Sequence, residues 1–150
     1  MIVHGSEGIA HVAALVRQSL LPKAADPYFA TDVRMTAMLL DLISEDYERS
    51  VDVMWRDQRE MKPLLLQAQP WLSEELRERV QRCLEEAQQE DLRVSVLSRH
   101  ADRAMVIFIE VHASVEQAAR QGRADARALE NVVWRFIEDY TERRRYHADI

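Results

Sequence analysis

Residues 26–62 read DPYFATDVRMTAMLLDLISEDYERSVDVMWRDQREMK, and this stretch decides the fold class. Asp26 can accept hydrogen bonds from the first free backbone N–H groups of a helix. Pro27 stands where a missing N–H costs nothing and a fixed φ suits the first turn. Pro63, which would clash with the preceding turn, predicts the stop near Lys62. Between them Phe29, Val33, Thr36, Leu40, Ile43, Tyr47, Ser50, Met54, Asp57 and Met61 follow alternating steps of four and three, a seam turned toward a partner helix. Glu45 before Arg49 and Asp52 before Arg56 predict i,i+4 pairs on the opposite face. The segment 35–43 is apolar almost all round, so the first half is expected at a centre and the second at an edge.

Working outward, the rest of the chain repeats the helical pattern. Ser6 and Glu7 suit a first helix whose stripe is Ile9, Val12, Ala13, Val16 and Leu20. The proline-bracketed stretch 63–71 predicts a connection whose leucines, with Trp71, cover the end of a bundle. Ser73 opens another helix, and the seam Leu76, Val80, Cys83, Ala87, Glu90, Val94, Leu97, Ala101, Ala104, Phe108, Val111, Val115 and Ala118 runs on without a Gly or Pro. One helix over 73–121 would be roughly 70 Å long, against about 40 Å across a compact chain of this length. The seam therefore predicts a break around 89–95, where Glu90 meets the β-branched Val94 and Val96. Gly122 is a left-handed stop. Asp125 caps a last helix with the stripe Ala126, Leu129, Val133, Phe136 and Tyr140. The expected helices are 6–20, 27–62, 73–88, 95–121 and 125–146. Short connections make neighbours antiparallel. The predicted fold is all-α, an antiparallel four-helix bundle with an additional N-terminal helix, as one domain over 1–150.

Composition narrows the function classes. Three Gly and four Pro in 150 residues are too few for a β-rich fold. A net charge of −6 argues against general nucleic-acid binding. A single cysteine excludes an internal disulfide and points to a cytoplasmic setting. The start MIVHGSEG lacks the pattern of a signal peptide, and the apolar run 104–109 is too short for a membrane span.

His112 and Glu116, one turn apart, are the candidate metal or acid–base pair, with Asp46 and Asp57 of the long helix as further carboxylates. Bundle di-iron sites use a Glu three residues before each His. Here Glu110 stands two before His112, which favours a structural histidine; no cofactor and no metal are expected. An inward Asp57 should have a basic or hydroxyl partner, because an unpaired buried carboxylate costs several kcal/mol. Thr36 and Ser50 are polar breaks that can fix register. Arg143, Arg144 and Arg145 suit either a helix C-terminus or an acidic partner. Trp55 and Trp134 are candidate interface anchors, and Cys83 reads as an inert core thiol.

The favoured function is a non-enzymatic interaction and dimerisation module. Segments 35–43 and 104–111 are apolar on more sides than one neighbour can cover, with Met38, Leu42, Val106 and Ile107 lying off their seams, and a homodimer is the simplest cover. A ligand- or metal-binding bundle, or an enzyme, with its site near His112 and Glu116 is one alternative. A regulatory partner that docks on a larger enzyme through Arg143–Arg145 is another.

Overall fold

The computed structural model describes residues 4–86 and 91–146. The protein is all-α, with α1 over Gly5–Leu15, α2 over Pro27–Ala68, α3 over Glu74–Glu86, α4 over Val94–Arg120 and α5 over Ala124–Glu142, and no strand among the described residues. No described helix is long and apolar enough to cross a membrane. Its contacts gather into two compact units, Met1–Ser50 with Tyr146–Ile150, and Val51–Arg145. The long helix α2 contributes its first half to one and its second half to the other.

The second unit holds the larger core. Met61, Leu64, Leu65 and Ala68 of α2 join Leu76, Val80, Cys83 and Leu84 of α3, Ala104, Phe108, Val111 and Val115 of α4, and Leu129, Val133 and Phe136 of α5 in one buried cluster. Phe108 and Phe136 meet edge to face with centroids 5.0 Å apart. Helix α4 packs on both α3 and α5. Trp71 is half-buried against this cluster and Leu72 is buried in it; of the leucines in 63–71, Leu64 and Leu65 are buried and Leu66 is 46% exposed.

The expected stop at Pro63 is overturned, since α2 runs through the proline to Ala68 and then tightens into a 3-10 turn over Gln69–Trp71. A proline inside a helix costs about 3 kcal/mol. Leu64 and Leu65 follow it at 5% and 2% exposure, and burying each such side chain contributes about 1.5–3 kcal/mol. Continuing the helix keeps both in the core, so packing outweighs the local penalty.

The predicted break between α3 and α4 is present. The described part of α3 reaches Glu86, residues 91–93 are not helical, and α4 starts at Val94. The Asp91 carboxylate accepts from the Arg93 backbone N–H at 3.0 Å and from its guanidinium at 2.5 Å. This local turn holds the chain out of helical geometry just before α4. The Arg93 hydrogen bonds lower the Asp91 pKa to about 2. The seam positions Ala87 and Glu90 and the expected helix end at Gln88 lie outside the described residues.

Caps divide between expected and not. Asp26 accepts from the Tyr28 N–H at 2.9 Å, and Ser73 from the Leu76 N–H at 3.2 Å. Gly122 has φ +85°, while its N–H bonds Ala119 and that of Arg123 bonds Ala118, closing α4 with the paired bonds of a Schellman motif. Asp125 lies in the first turn of α5, where Arg123 is the cap, and His4 rather than Ser6 precedes α1. The first expected helix changes character partway: α1 ends at Leu15 and a π turn covers Val16–Leu20.

The first unit is thin. Its buried apolar residues, among those described, are Ala13 of α1 and Ala30, Val33 and Ala37 of α2, all of them small. Polar contacts supply much of the remaining attachment. The Ser6 hydroxyl donates to Glu48 at 2.7 Å, Ser44 donates to the Ser6 carbonyl at 2.8 Å, and Arg17 pairs with Asp41. A Cβ on Gly5 would stand 2.8 Å from the end of the Tyr47 ring, so a larger residue there would have to displace that side chain. Within one chain, then, the expectation of a central first half and a peripheral second half of α2 is reversed.

Candidate functional site

Asp57 has the partners that its inward position demands. Its side chain is 4% exposed. The Arg143 Nε donates to Oδ1 at 2.8 Å, and Arg144 Nη2 forms an ion pair with Oδ2 at 2.6 Å. Arg143 also reaches Glu60 at 2.7 Å, and the Arg144 guanidinium lies 3.4 Å from the centre of the Tyr140 ring. Two of the three consecutive arginines are thus turned onto this chain's own carboxylates, tying the end of α5 to α2. Arg145 pairs with Glu142 at 3.2 Å. A basic patch offered outward, the docking surface of the enzyme-partner reading, is correspondingly diminished.

The other expected site residues are placed as follows. His112 is half-buried, and its ring meets Trp134 edge to face with centroids 5.1 Å apart. Its Nε2 is buried without a hydrogen-bond partner. Glu116 accepts from Arg120 at 2.6 Å, one turn further along α4. Glu110 is clamped by both terminal nitrogens of Arg79, each at 2.6 Å, which holds its pKa below the usual carboxylate range. Asp46 is exposed on the first unit. Among the described residues no three His, Cys, Asp or Glu side chains gather as a metal ion would require. Thr36 bonds back to the Asp32 carbonyl at 2.8 Å, so it neither lines a channel nor fixes a seam. Cys83 is buried, and that burial pushes its thiol pKa up, away from the reactive thiolate.

Sequence reading missed a cavity of about 260 Å³ in the second unit, lined by Trp55, Gln58, Glu86, Asp91, Val96, Leu97, His100 and Arg103. His100 is 7% exposed. Its Nδ1 stands 3.9 Å from Glu86, too far for a hydrogen bond, while Arg103 holds the same carboxylate at 3.2 Å. Burial lowers the His100 pKa, favouring neutral imidazole. The signal was present in the sequence, because His100 stands three residues after Leu97 and four before Ala104, on the buried face of α4.

The second feature is an apolar stripe on the first half of α2. Met35, Leu39, Ile43 and Tyr47 succeed one another at four-residue steps, and Tyr28 extends the row by two turns. They are 52%, 51%, 52%, 58% and 84% exposed. The seam expected here is only partly kept, since Val33 is buried, with Ala30 and Ala37 off the seam beside it, while the seam residues Phe29, Ile43 and Tyr47 are more than half exposed. Of the four off-seam residues, Val106 is exposed at 56%, whereas Met38, Leu42 and Ile107 are half-buried. Trp134 is half exposed beside His112, and Trp55 is 43% exposed beside the cavity. No protein-family model, curated protein sequence or solved structure matches this chain.

Proposed function

We propose that the protein is a non-enzymatic helical dimerisation module, in which the α2 stripe of one copy packs on that of a second. The supporting observation is the exposure of Tyr28, Met35, Leu39, Ile43 and Tyr47 on a helix otherwise apolar enough for a core. The stripe spans about 29 Å at ~1.5 Å per residue. By ordinary side-chain areas it exposes roughly 500 Å², as large as the largest apolar patches of typical monomers. Stripe-on-stripe pairing buries about 1,000 Å² in total, the lower bound for a specific interface. A self-complementary patch closes after one pairing and leaves no open end.

Light scattering tests this on the full chain. The expected mass at tens of micromolar is twice 17.5 kDa. Leu39→Glu brings it to the single-chain value with the helical circular dichroism retained. A wild-type mass of 17.5 kDa, or a dimer indifferent to Leu39→Glu, defeats the proposal.

A further inference from the structure

We propose that the face of the α4–α5 pair around Trp134 docks a basic amphipathic helix of another protein. The face is built from side chains one turn apart. Ile109 stands three residues before His112 on α4, and the His112 ring meets Trp134 of α5 edge to face with centroids 5.1 Å apart. Ile109 is 60% exposed and Trp134 50%. Met105, four before Ile109, and Ile137, three after Trp134, are half-buried against the core. By ordinary side-chain areas these four expose roughly 300 Å² of apolar surface, a size at which the largest patch of a monomer is often functional.

Charge decides what kind of partner fits. Glu130 and Glu138 lie one turn to either side of Trp134, and Asp102 lies two turns before Ile109. No cation among the described residues pairs with any of these three carboxylates. The nearby Arg120 is engaged by Glu116 at 2.6 Å, and Arg79 by Glu110 at 2.6 Å. Arg127 stands one turn beyond Glu130, so the face keeps an excess of negative charge.

A second copy seated here would bring the same acidic rim against itself, and like charges across an interface suppress pairing. An extended peptide gains little, because helices present no free backbone edge for a strand to join. A helix suits the groove of an antiparallel pair. Its apolar side chains at i, i+3 or i+4 and i+7 meet Ile109 and Trp134, while lysine or arginine on its flanks reaches Glu130, Glu138 and Asp102. From Asp102 to Glu116 the face runs about 21 Å at ~1.5 Å per residue, or about four turns of partner helix. Trp134, its ring seated against His112, is the kind of aromatic anchor on which binding energy concentrates. The face lies wholly on α4 and α5, so its test is independent of pairing through the α2 stripe.

Two amphipathic peptides of about four turns isolate the claim. Both carry the same leucine face, one with lysines on its polar side and the other with glutamates. Each is titrated into the full-length protein with isotope-labelled tryptophans and followed by nuclear magnetic resonance. The lysine peptide is expected to shift the Trp134 indole N–H in a saturable way. At low salt it should bind at least roughly ten-fold tighter than the glutamate peptide. Ile109→Ser, at an exposed position, lowers that affinity at least about ten-fold with the melting temperature unchanged. Glu130→Gln with Glu138→Gln lowers it several-fold, whereas Asp52→Asn with Glu78→Gln, the same change in net charge elsewhere, leaves it at the wild-type value. Should Ile109→Ser fail to fold, the contrast between these two charge pairs decides. Equal affinity for the two peptides, binding that leaves the Trp134 signal unmoved, an indole shift that follows protein concentration alone, or indifference to the Glu130 and Glu138 changes overturns the proposal.

Discussion

Met54, Met61, Leu64 and Leu65 on the second half of α2 are each 9% exposed or less, whereas Met35, Leu39 and Ile43 on the first half are about half exposed. The residue types are alike and the helix is continuous. What differs is the supply of neighbours. The second half shares a core with segments from α3, α4 and α5, while the first half has, within its unit, the short α1 and the small buried residues Ala13, Ala30, Val33 and Ala37. Burial is therefore decided by what the rest of the chain can bring to a helix, and an apolar sequence that finds no cover in its own chain points to cover from outside it.

The largest effect expected from this contrast is a core truncation. Leu65→Ala should cost about 2–5 kcal/mol of unfolding free energy, the range for emptying a buried leucine site. Leu39→Ala, measured by denaturant unfolding at a concentration too low for association, should cost far less. Equal losses at the two positions would erase the distinction between the halves.

Next comes the ionic tie within the second unit. Asp57→Ala leaves the Arg143 and Arg144 guanidiniums without the carboxylate they share. Breaking a buried pair on one side costs about 3–5 kcal/mol, and the lower part of that range is expected because Arg143 keeps Glu60 at 2.7 Å. A melting temperature unchanged by Asp57→Ala would mean that α5 is held by its apolar stripe alone.

A smaller, pH-dependent effect belongs to His100. Its folded pKa lies below the ordinary 6.5, so below that value the unfolded chain binds the extra proton first. The stability is fully present above about pH 6.5 and falls as pH drops from there toward the folded pKa. His100→Phe should flatten the stability profile in that window. A profile as steep in the variant as in the wild type would assign the slope to other groups.

Much of the fold was legible because caps and breaks are local chemistry. Asp26, Ser73 and Gly122 act where the sequence places them, and Asp57 has the basic partners its seam position required. Pro63 misled because a local rule met a larger gain from Leu64 and Leu65. The outward stripe was misassigned because heptad spacing fixes which residues share a face, but not which face meets a neighbour; Phe29, Ile43 and Tyr47 share a seam with buried Met54 and Met61 and still face outward. Apolar periodicity also conceals polar cavities: the seam through Leu97, Ala101 and Ala104 passes His100 by, although His100 is 7% exposed.

Hydrogen exchange measured across a range of protein concentrations tests the central claim most directly, because it reads the two halves of α2 in one experiment. Pairing through the stripe predicts that amides over 29–47 gain protection as concentration rises through the dissociation constant, while those over 54–68 stay constant. Protection of 29–47 that does not change with concentration, in protein that is monomeric throughout, would contradict it.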